Sequence, residues 1–194
     1  NIYKLAIILN IETATKNCSV SLAKDGIILA IKELNNAHYS HAEVLHPFIN
    51  DVLNEANITF DKLNAIAVSK GPGSYTGLRI GVSAAKGLCF SLGVPLISIN
   101  TLASLAHSIS IEDGTIIPML DARRMEVYSA IFDTNYNQIR EIKAEIIDEN
   151  SFLNELENNH VYFLGDGAEK CKSLIAHANA VFVDAKFPSA KEMC

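Results

Sequence analysis

The amino-acid sequence predicts an α/β fold of two lobes, each with the element order β-β-β-α-β-α-β. Each half opens with three apolar or alternating runs joined by short polar turns, a pattern typical of an antiparallel meander. Segments with helical periodicity then alternate with short runs typical of buried strands. This order begins again after Asp113-Gly114, although the residues of the two halves do not repeat.

The first half contains all seven elements and one further helix. A hairpin turn at Lys24-Asp25-Gly26 separates the second and third strands, and Ser40-His41-Ala42-Glu43 is a capping box that begins the first helix. Strands are predicted at 5–11, 18–23, 27–34, 65–69 and 95–99, and helices at 40–56, 75–92 and 100–110.

The second half repeats the order with shorter helices. Strands are predicted at 115–120, 127–133, 138–147, 161–164 and 181–183, and helices at 151–156 and 168–176. We therefore divide the chain into lobes at 1–110 and 111–194. Residues 189–194 have the composition of a helix start, so we expect the second lobe to continue beyond Cys194. Two such lobes form the actin-like ATPase (ribonuclease-H-like) fold of actin, sugar kinases and Hsp70 ATPases, which alone does not determine function.

Composition limits the function classes. Hydrophobic residues make up 49% of the 194 residues, which is sufficient for a folded core. The formal net charge of −6 does not attract a polyanion, so contact with RNA requires a local basic patch or a partner. The four cysteines show no C-x-x-C spacing and are expected to be reduced. The apolar run at 5–11 is too short to span a membrane, so we expect a soluble, cytoplasmic protein.

The most distinctive segment is the turn formed by Gly71, Pro72, Gly73 and Ser74 before the helix at 75–92. Free N–H groups at a helix N-terminus can bind an anion. The turn lacks the Gly-Lys-Ser/Thr ending of a phosphate-binding loop, however. A tight structural turn with Ser74 as N-cap is the favoured interpretation, and anion binding is the alternative.

The helix at 75–92 is apolar on two sides and carries only two charged residues, Arg79 and Lys86. One stripe consists of Leu78, Val82, Ala85, Cys89 and Leu92, and the other of Gly77, Gly81, Ala84 and Leu88. A helix that is apolar nearly all round is buried on both sides. Either both stripes pack inside this chain, or one of them meets a partner together with the preceding helix.

Four segments of the chain match a known family in order and spacing. They are Leu9-Asn10-Ile11-Glu12-Thr13-Ala14-Thr15 with Cys18-Ser19-Val20, then His41 with Leu45 and Pro47, the run from Gly71 to Gly81, and the run from Leu120 to Tyr128. Together they resemble the TsaB family, formerly called YeaZ. The resemblance implies a subunit of the bacterial machinery that places threonylcarbamoyl on adenosine 37 of certain tRNAs. A TsaD-type paralogue transfers the group with a metal held by a His-x-x-x-His pair, and a TsaE-type ATPase completes the complex.

The resemblance also implies that the chain dimerises with the paralogue, or with a second copy of itself when alone, through helices of the first lobe. On this resemblance and the apolar stripes, we predict a partner interface formed by His41, Leu45, Gly77, Leu78, Gly81, Ala84 and Leu88. We expect contact with tRNA to be indirect and with membranes to be absent. Gly81→Arg or Leu88→Asp is predicted to weaken assembly while the isolated chain stays folded.

The residues needed for chemistry are missing. The paralogue's metal-binding histidines fall at Thr101 and Leu105, which cannot replace them, and His38, His41 and His46 do not share one helical face. The phosphate loops of an actin-like ATPase lack their glycines at Glu12-Thr13-Ala14-Thr15 and at Ala122-Arg123-Arg124. We predict no catalytic residue, no metal and no cofactor, with Gly165 and Gly167 as a weak candidate for an adenosine-contacting turn.

The favoured hypothesis is thus a non-catalytic partner subunit. Three alternatives remain open at this stage. A small-molecule kinase or ATPase predicts nucleotide binding and Mg²⁺-dependent turnover, and a metallopeptidase requires the missing histidine pair. A structural homodimer would use the same helices.

Overall fold

The computed structural model describes residues 5–35 and 41–194, which form two units. The first unit comprises the chain up to Thr101 together with Ser189–Cys194, and the second comprises Leu102–Pro188. Each unit contains one five-stranded mixed sheet. The predicted capping box at Ser40 and the histidine at position 38 lie outside the described residues.

The first sheet has the order β3-β2-β1-β4-β5. Its elements are β1 (Ile7–Glu12), β2 (Asn17–Lys24), β3 (Ile27–Asn35), α1 (His41–Glu55), β4 (Ala65–Ser69), α2 (Tyr75–Leu92) and β5 (Leu96–Ile99). The first three strands are antiparallel because short turns join them, whereas β4 and β5 run parallel to β1. Helix α1 packs on β2 and β3, and α2 packs on β4.

The first core lies between this sheet and the two helices. It contains Leu9 and Ile11 of β1, Leu45 and Ile49 of α1, and Ala85 of α2. On the sheet, the 3-10 helix Ala190–Met193 packs against Ile8, Ala67 and Ile99. Hydrogen bonds of 2.7 Å join the backbone of Ala190 to the hydroxyls of Ser19 and Ser21.

The second unit repeats this topology. Its sheet has the order β10-β9-β6-β7-β8. The elements are α3 (Thr101–Ala106, which begins at the last residue of the first unit), β6 (Thr115–Asp121), β7 (Glu126–Phe132), β8 (Gln138–Ile146), α4 (Leu153–Asn158), β9 (Val161–Leu164) and β10 (Ala180–Val183). Strands β6, β7 and β8 are antiparallel, and β9 and β10 are parallel to β6. The predicted duplicated ribonuclease-H-like fold is confirmed.

Three local predictions differ from the structure. The helix expected at 168–176 is only a 3-10 turn, Glu169–Cys171, followed by irregular turns. The apolar side chains of Ala168, Cys171 and Ile175 still reach the core, so their helical spacing is satisfied without a helix. The units divide before residue 110 because Leu102 and Leu105 of α3 pack with Ile116, Leu120 and Leu164 of the second unit. Finally, residues 189–194 belong to the first unit, where Ala190–Met193 form a 3-10 helix, and they do not begin a helix of the second lobe.

The four cysteines lie within the described residues and form no disulfide. Within 5–35 and 41–194, no helix is both long enough and apolar enough to cross a membrane.

Candidate functional site

The loop that follows β1 is organised by a buried carboxylate. Glu12 is 0% exposed, and its Oε1 accepts a hydrogen bond of 2.6 Å from the backbone N–H of Ala14. No hydrogen-bond partner is found for Oε2 among the described residues. Burial raises the pKa of Glu12 to about 7, because the hydrogen bond from the Ala14 amide only partly offsets the missing hydration.

Both helices of the first unit are anchored to this loop. The N–H of Ser74 donates to the carbonyl of Ala14 (2.6 Å), and the hydroxyl of Thr13 donates to the carbonyl of Gly77 (2.8 Å). Nε2 of His41, the first residue of α1, donates to the carbonyl of Thr15 at 2.7 Å. The loop therefore fixes the start of α1 and the start of α2 relative to each other.

The glycines of the distinctive turn and of α2 allow this close approach. A Cβ atom would lie 2.3 Å from the Ala14 carbonyl oxygen at Gly73, and 2.1 Å from the Thr13 carbonyl oxygen at Gly77. At Gly81 it would lie 2.2 Å from the Thr13 hydroxyl. Ser74 is the N-cap of α2, since its side chain accepts from the N–H of Gly77, which confirms that prediction.

Four of the residues predicted for the interface do not lie on the surface of the first unit. His41, Leu45, Gly77 and Gly81 are buried within the first unit, so they do not form an outer surface. The small residues at 77 and 81 receive the loop of their own chain, and not a partner helix. Gly81→Arg would consequently disturb the fold of the unit itself, so it cannot test an interface.

An open groove of about 670 Å³ lies between α1 and α2. Ala84 and Leu88 of the predicted set line it, whereas Leu78 is half-buried and lies beside Gly71. The remaining lining residues are Ala42, His46, Thr76, Arg79, Ile80, Ser83 and Gly87. None of these seven residues belongs to the predicted interface set. Those of α2 recur every three or four residues, and that spacing could have identified them.

Two aromatic side chains project from the same helix. Phe90 is 93% exposed and Tyr75 is 74% exposed. The guanidinium of Arg79 lies 5.4 Å from the centre of the Tyr75 ring, a favourable cation–π distance. The outer face of α2 thus combines small, apolar and aromatic residues with few charges.

The weak cofactor candidates have a structural explanation. Gly165 has φ 102°, and a Cβ atom there would lie 2.2 Å from the Met119 carbonyl oxygen. The N–H of Gly167 donates to the same carbonyl at 3.1 Å. Both glycines are thus explained by close approach to β6, and a role in binding adenosine stays a prediction.

The positions expected for a metal pair, Thr101 and Leu105, are both fully buried. In the part of the chain that the structure describes, no three His, Cys, Asp or Glu residues are grouped so that they could hold a metal ion.

The duplicated sheets define a protein of the actin-like, ribonuclease-H-like class. Residues 34–193 match the family model described as TsaD, tRNA N6-adenosine threonylcarbamoyltransferase. The solved structure of YeaZ from Pseudomonas aeruginosa superposes with a TM-score of 0.84 at 24% identity, covering 97% of this chain and 88% of that one. At this identity the likeness supports the fold alone.

Curated relatives define the family more closely. The tRNA threonylcarbamoyladenosine biosynthesis protein TsaB of Escherichia coli K12 is 31% identical, over 96% of this chain and 83% of its own length. The protein of the same name from Bacillus subtilis 168 is 31% identical, over 87% and 74% respectively. The chain belongs to the TsaB (YeaZ) family.

Proposed function

We propose that this chain is a partner subunit in the biosynthesis of threonylcarbamoyladenosine in tRNA, and that it binds a TsaD-type transferase paralogue through the groove between α1 and α2. The observation that carries the proposal is this groove, with Phe90 and Tyr75 exposed on the same helix. Large exposed apolar side chains in contiguous patches mark sites of protein association.

The shape of the groove suits a pair of helices. Ala42, Ser83, Ala84 and Gly87 line it with small side chains, which allow the backbone of a facing helix to approach closely. Phe90 and Tyr75 offer aromatic anchors of the kind that dominate interface energetics. Because the loop after β1 anchors both helices, the groove is ordered before binding, which reduces the entropic cost of association.

The paralogue is the favoured occupant because residues 34–193 match the transferase family itself. A surface that fits a paralogue of the same fold can also fit a second copy of the chain, so we expect a homodimer when the chain is alone. The chain would contribute no catalytic group, since Thr101 and Leu105 occupy the positions of the paralogue's histidine pair. A TsaE-type ATPase would join the larger complex.

The test is a comparison of two arginine substitutions by light scattering after size-exclusion chromatography, with and without the paralogue. Gly87→Arg places a charged side chain in the groove, where a new Cβ meets nothing within 4 Å. Asn154→Arg makes a similar change at an exposed position of α4, outside the groove. We expect Gly87→Arg to abolish the heterodimer at micromolar concentration and Asn154→Arg to leave it intact.

Leu88→Asp tests the same surface from the groove wall, but Leu88 is half-buried and packs against the first core. Its thermal unfolding must therefore be measured beside the assembly assay. Normal heterodimer formation by folded Gly87→Arg would refute the groove as the partner surface. In that case nucleotide binding and Mg²⁺-dependent turnover become the next measurements.

A further inference from the structure

The hairpin between β6 and β7 has an unusual backbone at its tip. Arg123 and Arg124 have φ angles of 74° and 48°, so two consecutive long side chains stand in the left-handed region. Residues other than glycine rarely adopt this conformation, and such outliers cluster at functional sites. The N–H of Ala122 donates to the Glu126 carbonyl and that of Glu126 donates to the Arg123 carbonyl, each at 3.0 Å.

Neighbouring charged groups hold this backbone in place. Nζ of Lys170 donates to the carbonyls of Arg124 (2.7 Å) and Glu126 (2.6 Å) and pairs with the carboxylate of Asp121. The same carboxylate accepts the backbone N–H of Arg123 at 2.8 Å. The nearby lysine and aspartate are therefore committed to the hairpin backbone.

The two guanidinium groups are exposed, and neither forms a hydrogen bond or ion pair with the residues that the structure describes. The backbone that carries the two arginines is held in place by these contacts, and their guanidinium groups have no acidic partner among the described residues. In a chain of net charge −6 this is a local basic site, the kind of patch that RNA contact requires.

A groove of about 500 Å³ lies beside the two arginines. Its apolar lining comes from Met125 and from Ile146 at the end of β8, and Ile146 is 75% exposed. Glu126 also lines the groove, so the two arginines outnumber one acidic residue there. Two cations next to an exposed apolar surface match a ligand with anionic groups and a flat, weakly polar ring.

We propose that this hairpin binds one nucleotide of a single-stranded RNA segment. The guanidinium groups would donate to the phosphodiester oxygens, for which their planar donor arrangement is suited. The base would lie on Met125 and Ile146 or on a guanidinium plane. The inference rests on the proposed function only in taking tRNA as the RNA, and it departs from the expectation that tRNA is contacted indirectly.

The test is fluorescence anisotropy of a labelled, unmodified tRNA with the whole chain in the absence of the paralogue. The double variant Arg123→Ala with Arg124→Ala removes the site. Its matched control, Lys143→Ala with Lys191→Ala, removes two exposed lysines elsewhere and gives the same net charge. We expect the arginine variant to bind at least tenfold more weakly at low salt and the control to change by less than threefold.

Salt dependence separates the two parts of the site. For each ion pair between protein and phosphate that a substitution removes, the slope of log K against log salt concentration should fall by about 0.7. The arginine variant should therefore lower the slope by about 0.7 for each of the one or two ion pairs that it removes. Ile146→Ala should weaken binding several-fold with the slope unchanged, because it removes apolar surface and no charge.

Several outcomes would overturn the inference. One is that the unaltered chain does not bind tRNA, and another is that the arginine and lysine variants are weakened equally. If poly-glutamate competes as strongly as tRNA, the ligand of this site would be an acidic peptide. Competition by ATP as strong as that by tRNA would indicate a free nucleotide instead. The tRNA measurements contain no paralogue, so failure of the proposed partner surface is distinguishable from failure of this site.

Discussion

The buried carboxylate of Glu12 makes stability depend on pH in a defined direction. Its pKa is raised from an ordinary value of 4.5 to about 7 in the folded chain, chiefly by burial. Between these two values the folded chain holds a proton that the unfolded chain has released. The stability contributed by the neutral form is thus complete below about pH 4.5 and is lost as the pH rises to about 7.

The size of this effect follows from the two pKa values. At 1.36 kcal/mol for each pKa unit, a rise from 4.5 to about 7 corresponds to about 3 kcal/mol of folding free energy. Glu12→Gln replaces the carboxyl by a neutral amide of similar shape. We therefore compare the unfolding free energy of this variant with that of the unaltered chain at each pH. As the pH is raised from 4.5 to 8, this difference should shift by about 3 kcal/mol in favour of the variant.

Urea unfolding at pH 4.5, 6 and 8 measures the difference directly. Glu157→Gln, at an exposed position of α4, is the matched control and should show a pH profile parallel to that of the unaltered chain. Parallel profiles for Glu12→Gln as well would refute the argument, because Glu12 would then titrate alike in the folded and unfolded states.

Four further substitutions test the packing by urea or thermal unfolding, and one of them also by amide exchange. Gly81→Ala should cost about 1 to 3 kcal/mol because its Cβ meets the Thr13 hydroxyl, and Thr13→Ala in the same chain should recover part of that stability. Gly87→Ala should instead stabilise the chain by about 0.5 to 1 kcal/mol, since its Cβ meets nothing and alanine favours a helix. Lys170→Met should lower the melting temperature and speed amide exchange at Glu126, and unchanged exchange would contradict its role at the hairpin.

Local sequence patterns were sufficient for most of the fold. The strand at 65–69 and the helix at 75–92 have the predicted bounds, because turn residues limit the short apolar run and the helical period of 75–92 is long. The predicted helix at 168–176 was wrong because spacing alone does not distinguish a helix from successive tight turns. Residues 189–194 depend on contacts with β2, which are too distant in sequence for a local pattern to indicate.

The candidate site was predicted only in part. Two stripes on α2 were visible in the sequence, but their spacing does not say which stripe faces inward. Small residues at Gly77 and Gly81 indicate close approach of another backbone without identifying it, and the structure shows that it is the loop at Thr13. The rise in the pKa of Glu12 is likewise caused by burial, which cannot be read from the sequence.

The discontinuous first unit has a consequence for the growing chain on the ribosome. Ser19 and Ser21 emerge early, yet their partner Ala190 follows the whole of Leu102–Pro188. At typical rates of synthesis this interval is on the order of ten seconds. The surface that receives Ala190 and Met193 therefore stays open to water and to chaperones until these two residues have been synthesised.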